Sequence, residues 1–119
     1  MSKENFLKEI RKGIDRIRAA GSEITLVHHN DADGLTSAAV LETALTRANF
    51  SVQRICIERV HPPTITRIHD DFTTPILYVD LGAQAAPEIS VANQGRRTTL
   101  ILDHHHPNEP TDPKVLNIA

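Results

Sequence analysis

The chain is 119 residues long, enough for one domain with a core and too short for two. With 39% apolar and 24% charged residues it is not a disordered polar chain; no apolar run approaches a membrane span, and MSKENFLKEI lacks the apolar stretch of a signal peptide, so the cytoplasm is the expected location. A net charge of -2 excludes an overall basic footprint, though not a nucleic-acid substrate, because carboxylates gathered to hold divalent cations count as negative until the cations arrive.

Ile10, Ile14 and Ile17 continue a helical spacing begun by Phe6 and Leu7, which predicts an amphipathic helix over 2–20 with Ser2 as N-cap and Gly21 as stop. Its basic side chains outnumber its acidic ones, a pattern that a solvated face explains better than a nucleic-acid patch. EITLVHH is the first expected strand, NDADG a polar turn, and a helix follows from about Leu35 to Arg47. Ser51 to Val60 reads as the second strand. Cys56, the single cysteine, lies there between Ile55 and Ile57 and is expected in the core. Pro62-Pro63 opens a short helix, Pro75 to Leu81 is the third strand, Pro87 to Gln94 another helix, TTLILD the fourth strand and VLNI the fifth.

Strands alternating with helices predict an α/β fold: an open parallel sheet of four to five strands in a Rossmann or flavodoxin-like order 2-1-3-4-5, with helices on both faces. Ligands of such sheets bind beyond the carboxyl ends of the strands, where strand order reverses. Strand one ends in HHNDADG, strand three in Asp80 and strand four in DHHH, and the order 2-1-3-4-5 makes these three tips neighbours.

Crowding Asp31, Asp33, Asp80 and Asp103 together costs energy unless cations are present. Carboxylate and imidazole donors without a thiolate suit Mn²⁺ best, with Mg²⁺, Co²⁺ or Zn²⁺ as alternatives. Two such cations about 3.5 to 4 Å apart serve in-line displacement at phosphorus, so phosphoester hydrolysis is the reaction class suggested. DADG is not an EF-hand loop, because Gly34 comes fourth rather than sixth. Gly34, Thr36 and Ser37 open a helix whose amides suit a phosphate, and Thr36 and Ser37 equally suit capping. His61 reads as a surface turn residue. His69 has no supporting context, and Arg96 and Arg97 fall at the opposite end of the sheet from the tips. Four aromatic side chains, Phe6, Phe50, Phe72 and Tyr78, provide no base-stacking platform.

HNDADGLTSA (His29 to Ala38), YVDLG (Tyr78 to Gly82) and LDHHHP (Leu102 to Pro107) resemble motifs I, II and III of the DHH phosphoesterase superfamily, in the same order. That superfamily comprises metal-dependent phosphoesterases, including RecJ-type single-strand exonucleases, short-oligonucleotide phosphodiesterases and manganese pyrophosphatases. The resemblance implies that His29 and Asp31 hold one Mn²⁺, Asp33 and His104 a second, and that Asp80 bridges both. Either His28 or His29 is the first ligand, motif spacing favouring His29. It further implies that His105 contacts the scissile phosphate or assists proton transfer while Asp103 orients the imidazoles.

Asn30 before Asp31 and Gly34 after Asp33 resemble the RecJ branch, nearer in flavour to archaeal RecJ-like proteins than to bacterial ones. The implied partners are single-stranded nucleic acid or an oligonucleotide, and a protein of a replication or repair complex; a homodimer over exposed apolar surface is a further expectation, a membrane is not. The superfamily also carries a fourth motif, a downstream aspartate, and a C-terminal substrate-gripping domain. Neither is found in the 119 residues, and nothing in their spacing recommends Glu109 or Asp112 as replacements. The expectation is a single DHH-type domain over 1–119 with an incomplete site, either a fragment of a longer nuclease or a natural short relative of weak or absent activity; the alternative function is a catalytically incomplete binding or scaffold module of a replication or repair complex.

Overall fold

In the stretch Ile24 to Val27 every side chain is buried, although successive side chains of a strand point to opposite faces. Such a strand must lie inside a sheet covered on both sides. The computed structural model, which describes residues 3–118, supplies that sheet. Its elements are α1 (Lys3–Ala20), β1 (Glu23–His29), α2 (Ala32–Arg47), β2 (Ser51–Ile57), α3 (Pro62–Asp71), β3 (Ile76–Val79), α4 (Ala86–Asn93), β4 (Thr99–Leu102) and β5 (Val115–Ile118). All strands are parallel, in the order β2-β1-β3-β4-β5, as the alternation of strands and helices predicts.

Period-2 alternation divides the core between the two faces. Ile24, Leu26, Leu77, Val79 and Leu100 pack with Ile17 of α1 and Ala38 of α2. Val27, Ile76, Tyr78 and Ile101 pack with Ile65 and Ile68 of α3 and with Ile89 of α4. Helices therefore cover both faces, with α1 and α2 on one and α3 and α4 on the other.

Several expected boundaries move. The second strand stops at Ile57 rather than Val60, the third is shorter at both ends, and α2 begins at Ala32 instead of Leu35. Cys56 is exposed, not in the core. It lies on an edge strand, where Gln53 and Arg54 are exposed as well, so flanking isoleucines do not mark its own face as inward. Ser2, the expected N-cap, falls outside the described residues, as do the Phe6 and Leu7 side chains.

At the amino end of the sheet lies a buried polar network. His69 is fully buried; its Nδ1 donates to Asn93 Oδ1 at 3.1 Å, and its Nε2 accepts from the Tyr78 hydroxyl at 3.0 Å. Asn93 Nδ2 in turn donates to Arg97 O and Asp112 Oδ2, each at 2.9 Å, and Arg97 donates to the His69 carbonyl. Arg96 pairs with Asp70 at 2.8 Å. Both arginines thus fasten α3 and α4 to this end of the sheet, away from the strand tips. Burial pushes the Asp112 carboxyl up, but hydrogen bonds from the Lys114 amide, Asn93 and the Gly95 amide more than offset it and leave the group below its ordinary value.

Burial, helped by the charges of Arg97 and Arg96, lowers the His69 pKa from 6.5 to about 4 against the hydrogen bond to Asn93, which raises it. The unfolded chain takes up this proton near pH 6.5 and the folded chain only near pH 4. Stability should be full above pH 6.5 and fall by up to about 3 kcal/mol as the pH drops from 6.5 towards 4. Urea unfolding across that range measures it, and His69→Gln should flatten the slope.

Candidate metal centre at the sheet rim

Register fixes which side chains meet at the carboxyl edge. His28 pairs with Val79 and Val79 with Leu102, so the next residues, His29, Asp80 and Asp103, form one row as the three central strands end. The Asp80 amide donates to Leu102 O at 2.8 Å and continues the ladder one step beyond β3. Asp80 itself has φ +62°, a left-handed conformation that aspartate tolerates better than most side chains. This turns its carboxylate toward the α1/α2 face, where it lines a cavity of about 310 Å³ with Ile10, Ser37 and His104.

Asp103 is the anchor of the rim. Its side chain is only 2% exposed, yet its oxygens accept from Ala83 N at 3.1 Å, His105 N at 3.3 Å and His105 Nδ1 at 2.5 Å. His104 turns toward Asp80, its Nδ1 lying 3.0 Å from Asp80 Oδ1 and 3.9 Å from Asp103 Oδ1. The two imidazoles stack with centroids 4.3 Å apart. The hydrogen bond to Asp103, and then its charge, raise the His105 pKa above the ordinary imidazole value. His105, His29 and Asp103 line a second cavity, of about 380 Å³, on the α3/α4 face. Consecutive histidines, stacked on each other, thus line cavities on the two faces of the sheet.

The first motif divides its residues in the same way. His28 is buried, with Nδ1 donating to the His29 carbonyl at 3.0 Å and Nε2 accepting from Arg54 Nε at 3.4 Å. His29, not His28, lines the rim cavity, and its Nδ1 lies 3.9 Å from Asp31 Oδ2. Asp31 caps α2 by accepting from the Gly34 amide at 2.7 Å, a role that expectation gave to Thr36 or Ser37. Those two lie inside the helix. Thr36 is exposed, Ser37 faces the cavity of Asp80 and His104, and the Gly34 amide is already engaged. Asp33, in the first helical turn, is exposed and makes no hydrogen bond or ion pair with a described residue, so no direct contact joins it to His104. Sequence reading missed the buried role of His69, whose partners Tyr78 and Asn93 are 9 and 24 residues away.

The donor chemistry fits divalent cations. One oxygen or nitrogen from each of Asp103, His104 and His105 lies within 4.8 Å of the others, and Asp80 adds a carboxylate 13% exposed beside His104. Two largely buried carboxylates beside two imidazoles give the mixed oxygen and nitrogen donor set that a divalent cation takes.

The comparisons agree with this architecture. The model of the DHH family, N-terminal domain, matches residues 23–119, and the chain belongs to that family. It is similar to the uncharacterized protein MJ0831 of Methanocaldococcus jannaschii, 27% identical over 111 residues, which are 90% of this chain and 25% of that protein. Its fold is that of RecJ from Thermus thermophilus, solved in complex with Mn²⁺ (TM-score 0.67, 20% identity, 94% of this chain and 16% of that one). An exonuclease RecJ bound to manganese gives a TM-score of 0.69 at 20% identity over 94% of this chain and 30% of its own. CDC45 from Entamoeba histolytica gives 0.71 at 13% identity over 98% of this chain and 24% of its own. The chain spans a quarter of the curated relative and less than a third of each of these structures.

Two outcomes follow from the rim geometry. A Cβ at position 34 would lie 2.6 Å from the His29 carbonyl oxygen and 2.8 Å from His29 Cβ, and the backbone cannot yield cheaply. Gly34→Ala should therefore cost about 1–3 kcal/mol in urea unfolding. Asp103→Asn should lower the His105 pKa toward the ordinary imidazole value, read by NMR titration of the ring protons.

Proposed function

We propose that this domain hydrolyses phosphodiester bonds in single-stranded DNA or short oligonucleotides with the help of two divalent cations, Mn²⁺ first among them. The observation that carries the reading is the row of His29, Asp80 and Asp103 at the ends of three adjacent strands, with the stacked pair His104 and His105 beside it. RecJ structures determined with manganese share the fold, which supports the choice of metal. His29 and Asp31 would hold one cation, Asp33 and His104 the other, with Asp80 between them. Bound cations supply charge neutralisation at phosphorus and an activated water at neutral pH.

The remaining steps belong to the chain itself. With Nδ1 bonded to Asp103, His105 is fixed in orientation and its free Nε2 is left for a phosphoryl oxygen. Its raised pKa favours the protonated, donating form. Ser37 lies beside Asp80 and His104, where its hydroxyl suits a second phosphoryl oxygen. Leu81, Gly82 and Asp103, all buried, limit water on the α3/α4 side.

A second reading is a binding module docked to a protein of a replication or repair complex. It is supported by the likeness to CDC45, since a fold shared by proteins of such different names does not by itself select the exonuclease. Calorimetric titration with Mn²⁺ separates the two: two filled sites are expected of the enzyme and none of the module.

Hydrolysis of a 5′-labelled single-stranded oligonucleotide should require added Mn²⁺, and Asp80→Asn, which keeps the left-handed backbone comfortable, should lower the rate by at least about 100-fold with little change in stability. Equal rates in the two proteins would remove Asp80 from the chemistry.

A further inference from the structure

The cavity on the α3/α4 face is larger than the catalytic side chains need. Its rim end is formed by His29, Asp103 and His105, but it runs on between the start of α3 and the start of α4. There Val60, Pro62 and Ala85 offer apolar surface above the buried Ile65 and Leu81, and Gln84 and Glu88 line the same cavity. Both of these side chains are exposed and make no hydrogen bond or ion pair with a described residue. Their polar atoms are therefore free for a ligand.

A volume of about 380 Å³ is within the range of small-ligand sites and has room for a sugar and a base beyond a phosphoryl group held at the rim. Apolar surface covers the face of a base through burial alone, without asking for its hydrogen-bond pattern. Glu88 accepts from amino and hydroxyl groups and repels an added phosphate. The α1/α2 side differs: its cavity holds Ser37, Asp80 and His104 and no free carboxylate beyond the rim row.

We propose that this cavity is the nucleoside subsite, taking a terminal nucleoside whose far end carries a hydroxyl rather than a phosphate, and that Glu88 is the residue that sets this preference. The proposal rests on phosphodiester hydrolysis at the rim for its place in catalysis, but the binding itself needs neither metal nor turnover. Glu88 is in the first turn of α4 with its side chain exposed, so its replacement leaves the core intact.

The test is an NMR titration of the metal-free protein with adenosine and with cytidine, following the backbone amides of Leu81 to Ala85. Saturable shifts confined to that loop and to Ile65 are expected for both nucleosides, with Glu88→Gln weakening each by about tenfold, the worth of one charge-assisted hydrogen bond. Nucleosides carrying a phosphate on the far hydroxyl should bind more weakly to the wild type and regain affinity in Glu88→Lys. Absent shifts, shifts on the Ser37 side instead, or identical affinities in wild type and Glu88→Gln overturn the subsite. With an oligonucleotide and Mn²⁺, the same Glu88→Gln change should raise KM and leave kcat nearly unaltered. Nucleoside binding without any oligonucleotide hydrolysis would sink the catalytic reading while keeping the subsite, whereas hydrolysis without nucleoside shifts would do the reverse.

Discussion

Parallel pairing is the constraint on which this molecule depends. Five strands running one way place every carboxyl end on the same edge, and the order β2-β1-β3-β4-β5 puts the three tips rich in aspartate and histidine side by side. No single residue achieves this. A one-residue slip of β3 against β4 would send Asp80 out of the row with Asp103 and turn Leu77 and Val79 toward the wrong core. The two apolar cores hold the register, and register sets the chemistry of the edge.

The rim has two sides because strand alternation continues into the loops. His28 follows Leu26 toward α1 and α2 and is buried, whereas His29 follows Val27 toward α3 and α4 and reaches a cavity. His104 and His105 follow the same rule in lining the cavities of the two faces, while their rings stay stacked. Asp80 breaks it through its left-handed backbone, and the break is what brings its carboxylate to His104 on the α1/α2 side. A site assembled this way presents donors above and below the end of the sheet.

Much of this was legible in the residues. Apolar runs separated by turn signals marked the five strands, and each tip advertised itself by polar residues that a strand interior rejects. The failures have physical causes. Cys56 between two isoleucines reads as core only if its strand is central, and nothing local shows that β2 is an edge. Asp31 as the helix cap shifts the start of α2 forward by nearly a full turn, because an Asp three residues before a glycine competes well with Thr36 and Ser37 for that job. His69 depends on Asn93 and Tyr78, partners supplied by another helix and by a strand, and no pattern within a few residues encodes them.

Asp103 is shared between two segments: the Ala83 amide comes from the stretch after β3, and the His105 amide and ring come from the stretch after β4. One carboxylate therefore staples two loops. Neither can be dragged aside by an arriving ligand without breaking bonds made to the other, so the edge behaves as a stiff bracket that opens collectively. Such stiffness keeps the spacing of its donors independent of what happens in the flanking helices, and it spares any molecule that lands there the entropic cost of organising its own receptor.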